Sequence, residues 1–324
     1  MKSVRVAVVG AGYLGRFHAE KYARMPDVTL VGVADVNPQR AAVVARETGS
    51  RPFTDYTRLI GRVDAVSVVV PTPLHFAVSR DFLANQVDVF IEKPITTDLD
   101  EADELIRLAA AGGRLIQVGH LERFNPALLA AGGMLQRPRC IETRRMSPFR
   151  KRGTEVSVVL DLMIHDIDIV QSFLAAAPVE VQADGMRLMS PRIDWAHARL
   201  RFADGCVAHL SASRIAADSQ RRMTLLQDAH CLTIDFAAHE TVIVKRPAAG
   251  GIPESAPPEI KRFPPGDALY DELTAFMAAV RQRTPPIVTG EMGRLALKTA
   301  LQIMACIQAG EDRGTGDTDG NAAG

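Results

Sequence analysis

Neither sign of charge is in surplus: 38 Lys and Arg stand against 38 Asp and Glu, a formal net charge of zero. That removes the global electrostatic argument for nucleic acid or an anionic membrane as the main partner and leaves only local basic patches to consider. Cysteine is sparse. Cys140, Cys206, Cys231 and Cys306 lie far apart with no C-x-x-C pair, which speaks against a zinc knuckle or disulfide framework and for buried, reduced thiols. No apolar run reaches the roughly 18 residues that a membrane span needs. The N-terminus, MKSVRVAVVGAG, enters an alternating apolar stretch almost at once. It lacks the charged, apolar and cleavage regions of a signal peptide, so the expected location is the cytoplasm.

What is present describes an ordinary globular chain. Hydrophobic residues make up 47% and charged residues 23%, which allows an ample core and excludes disordered or collagenous classes. At roughly 100–200 residues per domain, the length suggests two domains. No internal repeat is visible.

From Val4 to about Gln117 short β-branched runs alternate with stretches of helical length: VRVAVV, VTLVGVAD, DAVSVVV, VDVFIE and RLIQVG. Near-continuous apolar runs are the mark of parallel strands covered on both faces. This predicts an α/β fold with a doubly wound parallel sheet over residues 1–120. Over residues 121–310 the pattern becomes α+β: a helical piece near Pro126–Leu135, a strand around Cys140–Met146 and an apolar helix from about Val156 to Leu174. Alternating segments follow, including HARLRFA, CVAHLSAS, RMTLLQ and ETVIVK, which predict a mainly antiparallel sheet. Residues 246–266, rich in Pro, Gly and Ala, read as a surface loop. Two helices are expected after it, one from Asp267 to before Pro285 and one capped by Thr289 and ending near Ala309. Residues 311–324 read as a frayed tail.

Gly10-Ala11-Gly12-Tyr13-Leu14-Gly15 fits G-x-G-x-x-G between the first strand and a helix. In that setting Gly10 permits the tight turn, Gly12 lets the backbone approach a pyrophosphate at the helix N-terminus, and Gly15 allows close helix–strand packing. Asp35 ends the second strand twenty positions after Gly15, where a carboxylate can accept hydrogen bonds from a ribose. It favours NAD over NADP, because a 2′-phosphate would meet its charge. Arg40 could soften that preference. Two further junctions, Pro71-Thr72-Pro73-Leu74-His75 and Glu92-Lys93-Pro94, fall at strand C-terminal ends and should border the same crevice.

In VVLDLMIHDIDIV, Asp161, His165 and Asp168 are spaced by four and three residues and would share one helix face. Three readings stay open for them: a solvent-exposed stripe, a zinc or iron site, or an oriented general base. The metal reading lacks a second His or Cys nearby, and no metal is expected.

Taken together, the glycine motif with Asp35, Thr72-Pro73 with His75, Glu92-Lys93-Pro94, and Asp161-x-x-x-His165 with Asp168 resemble the Gfo/Idh/MocA family of NAD(P)-dependent sugar and inositol oxidoreductases. The resemblance spans nearly the whole chain. It implies a Rossmann domain followed by a domain with a large open sheet, and it places Lys93 and His165, with Asp161 beside them, at the reacting carbon. NAD contacts would come from Gly10, Gly12, Tyr13, Leu14, Gly15, Asp35, Thr72, Pro73, His75, Glu92 and Lys93. The segment before the helix, commonly glycine-rich in the family, is here GTEVSVVL with only Gly153. Within the family, VGHLERFNPA and DLMIHDIDIV are similar to the UDP-N-acetylglucosamine 3-dehydrogenase branch, which supplies a 3-keto sugar nucleotide to an aminotransferase for diamino-sugar lipid A.

Arg144, Arg145, Arg150, Lys151 and Arg152 put five cations in nine residues. They suit a diphosphate, or else a solvated basic loop. Arg123 and Asn125 join Arg150, Lys93, Asp161 and His165 as candidate substrate contacts, with helix capping before Pro126 as the other explanation of Asn125. The chemistry expected is oxidation of a secondary hydroxyl, with His165 as base, Asp161 or Asp168 holding its ring, and Lys93 favouring negative charge on the oxygen. Whether Lys93 or His165 takes the proton stays open. Other readings are dehydrogenation of another sugar or an inositol, an NAD-dependent glycosidase, and a non-catalytic sugar or NAD sensor. Retention of Lys93, Asp161 and His165 argues against the last. Self-association into a dimer or tetramer through the open sheet is also expected.

Overall fold

A computed structural model describes residues 3–150, 153–246 and 257–316. Two compact units emerge, Met1–Phe124 with Asp267–Leu297, and Asn125–Gly266 with Lys298–Gly324.

In the first unit a six-stranded parallel sheet has the order β3-β2-β1-β4-β5-β6. Its strands are β1 (Val4–Val9), β2 (Val28–Ala34), β3 (Arg51–Phe53), β4 (Ala65–Val68), β5 (Asp88–Glu92) and β6 (Ile116–Gly119). Between them run α1 (Tyr13–Arg24), α2 (Pro38–Thr48), α3 (His75–Ala84) and α4 (Leu99–Gly112). β4 and β6 are buried throughout, as strands covered on both faces must be. Strand β3, only three residues long, carries too little pattern to be read from sequence. The chain order reverses between β1 and β4, which makes their C-terminal ends the place for a ligand.

Residues 267–297 belong here and not with the second unit, to which the sequence assigns everything from 121 to 310; from Lys298 on the chain belongs to the second unit. Helix α7 (Ala268–Gln282) buries Leu273, Phe276, Met277 and Val280 in the core of β1, β2 and β5 side chains. The rings of Phe276 and Phe90 meet edge to face at 5.8 Å.

The second unit holds an eight-stranded sheet in the order β14-β13-β12-β11-β7-β10-β9-β8. Its strands are β7 (Cys140–Met146), β8 (Glu180–Met186), β9 (Trp195–Arg201), β10 (Val207–Ser213), β11 (Gln220–Leu226), β12 (His230–Asp235), β13 (Glu240–Lys245) and β14 (Glu259–Arg262). All pairs are antiparallel except β7 with β10. Helix α5 (Pro126–Ala131) precedes the sheet, and α6 (Ile164–Leu174) packs on β7 and β10. Alternation sets one face against the core, with Ala196, Ala198 and Leu200 of β9 and Ala208, Leu210 and Ala212 of β10 fully buried.

Two expectations are corrected. The span 246–266 is not all loop: Glu259–Arg262 pairs with β13 and is tied to it by Arg262–Glu240 and Lys245–Glu259 ion pairs. Residues 247–256 lie outside the described residues, as do 317–324. The last helix, α8 (Gly290–Gly316), does not stop at Ala309. A single helical glycine costs only about 1 kcal/mol, and Arg187 engages Gln308 at 3.2 Å and Glu311 at 2.8 Å across the following turn.

All four cysteines are free, but only Cys206 is buried, and burial pushes its thiol up to about 12. No helix among the described residues is long and apolar enough to cross a membrane.

Candidate active site

The glycine turn closes as its residue types require. Gly10 has φ +102°, donates its N–H to Ala34 O at 2.7 Å, and leaves no room for a side chain, since a Cβ would lie 2.3 Å from Val69 O. A Cβ on Gly15 would lie 1.8 Å from Gly10 O. Gly12 is different: it caps α1 without a side-chain partner, and a Cβ there would meet nothing within 4 Å. Gly10 and Gly15 therefore serve the chain, and Gly12 keeps open the space in front of a helix N-terminus where an anion gains from the N–H groups and the dipole.

Asp35 faces this turn. Its Oδ2 accepts from Ala11 N at 2.7 Å and its Oδ1 from Asn37 N at 2.8 Å. The carboxylate is thus oriented by two backbone donors, with lone pairs left for a ligand. Apolar side chains in the segments that follow β1, β2 and β4 remain exposed: Tyr13 63%, Leu14 40%, Val36 91% and Leu74 49%. Val36 has no motif to announce it, and Leu74 sits inside the Pro71–His75 junction without being singled out; exposed apolar groups beside a binding turn are the signal. An open helix N-terminus, an oriented carboxylate and an apolar fringe together fit a dinucleotide.

Glu92 ends β5, Lys93 and Pro94 follow it, and the Lys93–Pro94 peptide is cis. Glu92 Oε1 lies 3.0 Å from Nε2 of His18, a wholly buried residue of α1. Gly119 makes room for that carboxylate, since a Cβ there would stand 3.1 Å from both oxygens. Burial pushes the Glu92 carboxyl up, but the His18 hydrogen bond, with the charges of His18, Lys93 and His75, outweighs it and holds Glu92 below the usual range. Lys93 itself is half-buried.

His75 is displaced from the role given it above. It is 1% exposed, with Nδ1 2.9 Å from Pro94 O and Nε2 2.9 Å from Val70 O. The ring bridges the backbone after β4 to the backbone after β5 and supports the wall of the crevice instead of lining it. Burial is the largest influence and pulls its pKa down, against the pull of the two carbonyls. Thr72 and Pro73 form the turn that leads into α3.

In the second unit the helix carrying Asp161 and His165 opens with a π-helical turn, Val159–Met163, before continuing as α6. Periodicity could not reveal this. Such turns add a residue per ring and recur at functional sites, and here the wider turn contains Asp161. Asp161 and His165 are half-buried, whereas Asp168 is 3% exposed. The three do not form one solvent stripe, and among the described residues no cluster is arranged to hold a metal.

The basic run is divided. Strand alternation turns Arg144 outward and Arg145 inward, where Arg145, 3% exposed, forks onto Asp166 at 2.7 and 3.1 Å and lies over the Phe236 ring. Arg145 is thus committed to the core and cannot serve a diphosphate. Arg150 is exposed, and Lys151 and Arg152 lie outside the described residues. Asn125 is the cap of α5, accepting from Ala127 N and donating to Phe236 O, so capping explains it. Arg123 is half-buried in a short turn after β6.

Residues 4–120 match the model of an oxidoreductase family with an NAD-binding Rossmann fold, Gfo/Idh/MocA, and residues 130–229 match the Gfo/Idh/MocA C-terminal domain. The chain is 37% identical over 316 residues to UDP-N-acetylglucosamine 3-dehydrogenase of Acidithiobacillus ferrooxidans, covering 95% of this chain and 99% of that protein. A solved structure of that dehydrogenase matches with a TM-score of 0.89 at 36% identity, over 95% and 99% of the two chains. The scyllo-inositol 2-dehydrogenase (NAD(+)) of Bacillus subtilis is 30% identical over 306 residues, covering 88% and 89%. A scyllo-inositol dehydrogenase from Lactobacillus casei with bound NAD(H) shares the fold, with a TM-score of 0.79 at 22% identity over 95% and 98%.

Proposed function

Because the chain belongs to the Gfo/Idh/MocA family of oxidoreductases, with an NAD-binding Rossmann domain, we propose that it oxidises UDP-N-acetylglucosamine at its 3-hydroxyl. The observation that carries this reading is the near full-length likeness to a UDP-N-acetylglucosamine 3-dehydrogenase. Inositol dehydrogenases share less identity.

In the reaction the O–H and C–H bonds of a secondary alcohol break and a C=O bond forms. The hydride acceptor would be supplied by bound NAD. His165 accepts the hydroxyl proton, a task suited to an imidazole whose unperturbed pKa is about 6.5. Asp161 holds the ring and favours the imidazolium, and Lys93 stabilises negative charge developing on the oxygen. Gly12 and the N-terminus of α1 would hold the pyrophosphate of NAD, and Asp35 would accept from its ribose hydroxyls. Arg150 and Arg123 are the basic residues proposed for the substrate diphosphate.

A 3-keto sugar nucleotide is a substrate for transamination, so a downstream aminotransferase of diamino-sugar lipid A synthesis is the proposed consumer. A cytoplasmic location fits both soluble reactants. Met186, Leu226, Val244 and Ile260 stay 42–54% exposed on the sheet, and self-association over that face is part of the proposal.

The test is incubation of the purified enzyme with NAD and UDP-N-acetylglucosamine, with an aminotransferase and glutamate to trap the ketone. An aminated UDP-sugar in the mass spectrum is expected. No turnover of UDP-N-acetylglucosamine, with NAD reduced instead in parallel reactions offered an inositol or free glucose, would redirect the assignment.

A further inference from the structure

Arg214 follows β10 and is only 5% exposed. Its guanidinium spans a turn, with Nη1 donating to Gly153 O at 2.6 Å and Nη2 to Val156 O at 2.7 Å. Val156 N–H closes that turn by donating to Gly153 O at 3.4 Å. A buried guanidinium is costly to desolvate, and a planar fork bridging two carbonyls is a task lysine cannot reproduce.

The anchor beneath Arg214 is rigid. Its own N–H donates to Asp194 O at 2.9 Å, and Nε stands 3.9 Å from Asp194 Oδ1. Asp194, with no exposed surface, accepts from the N–H groups of Leu188, Met189 and Ser190 and from Ser190 Oγ, at 2.6–2.9 Å. At the other end of the clamp Gly153 has φ +83°, and a Cβ on it would lie 3.1 Å from Asp161 Oδ2. The single glycine of the GTEVSVVL segment is therefore the one that lies against the Asp161 carboxylate.

We infer that Arg214 is a positioning residue for Asp161, acting through the Gly153–Val156 turn. The inference rests on the reading of Asp161 as part of the catalytic machinery. Arg214 fixes two carbonyls of the turn, the turn fixes Gly153, and Gly153 bounds the space in which the Asp161 carboxylate sits. A displacement of about 1 Å in a catalytic group can cost a hundredfold in rate.

The experiment compares wild type, Arg214→Met, Arg214→Lys, Asp161→Asn and the double variant Arg214→Met/Asp161→Asn. It measures kcat and KM with UDP-N-acetylglucosamine, NAD affinity by titration, and thermal melting. Arg214→Met is expected to lower kcat about 10- to 100-fold with NAD affinity unchanged, Arg214→Lys to fall between it and wild type, and the double variant to be no slower than Asp161→Asn alone. Penalties that multiply in the double variant, or an unchanged kcat in Arg214→Met, overturn the inference. Should Arg214→Met not fold, Gly153→Ala tests the same turn: lowered kcat at unchanged NAD affinity supports the inference, and wild-type kcat overturns it. A wild-type enzyme inactive on UDP-N-acetylglucosamine overturns the proposed function, and this inference with it.

Discussion

The glycine turn of the first unit and the Asp161–His165 helix of the second are organised by different physics. In the first, backbone does the work: Gly10 and Gly15 are set by close approach to main-chain oxygens, and Asp35 is aimed by two main-chain N–H groups. In the second, side chains do it: Arg145 sits on Asp166, and Arg214 is held between Asp194 and the Gly153–Val156 carbonyls. Backbone sites leave a signature of residue type at fixed spacing. Side-chain sites draw on residues far apart in the chain and leave almost none.

The comparison can be broken at its catalytic end first. His165→Asn is expected to lower turnover by about 10²–10⁴-fold while NAD binding persists. Near-wild-type turnover in stopped assays would remove His165 from its role and leave only the first unit with an assigned function.

Removing one partner of the buried ion pair tests the side-chain end. Arg145→Met leaves the Asp166 carboxylate, 2% exposed, without its fork. A loss of about 3–5 kcal/mol is expected in urea unfolding, with much of it recovered when Asp166→Leu is added. A loss below about 1 kcal/mol would mean that the pair contributes little.

The glycines sharpen the backbone end. Gly12→Ala adds a methyl where nothing lies within 4 Å, so the melting temperature should hold while NAD affinity drops by about tenfold or more through lost charge-assisted hydrogen bonds. Gly15→Ala forces a methyl onto Gly10 O and should lower the melting temperature as well. Equal behaviour of the two variants would contradict the division of roles.

The smallest effect concerns acid. Glu92 titrates below its ordinary value of 4.5 in the folded chain, so near and below that pH the unfolded chain binds the proton more readily. The stability this carboxylate contributes is present in full above its unfolded pKa and drains as pH falls through the lowered one. In His18→Gln the folded pKa of Glu92 should rise and this acid-dependent share of stability shrink, read as a flatter dependence of unfolding free energy on pH below the ordinary value of 4.5. An unchanged slope would separate His18 from Glu92.

Much of the fold was legible from sequence because parallel strands buried on both faces must be apolar along their length and helices between them must be amphipathic. The short strand Arg51–Phe53 and the edge strand Glu259–Arg262 escaped, the one by length and the other because its residues are largely exposed and charged. Helix α7 looked like a continuation of the second domain, since sequence order carries no information on which core takes up Phe276 and Met277. Arg144 and Arg145 appeared as neighbours in one basic patch, yet the pleat sends them to opposite faces.

By itself the sequence determined the doubly wound unit and the glycine turn with its acidic partner, because each follows from local pattern or residue type, whereas the chemistry proposed for Lys93, Asp161 and His165 came from the family resemblance. Tertiary structure alone decided that His75 supports the crevice wall, that the helix of Asp161 opens with a π turn, and that Arg214 grips the turn before it. Those outcomes depend on burial and on hydrogen bonds between residues distant in the chain, and the free energy of such contacts exists only once the chain has packed.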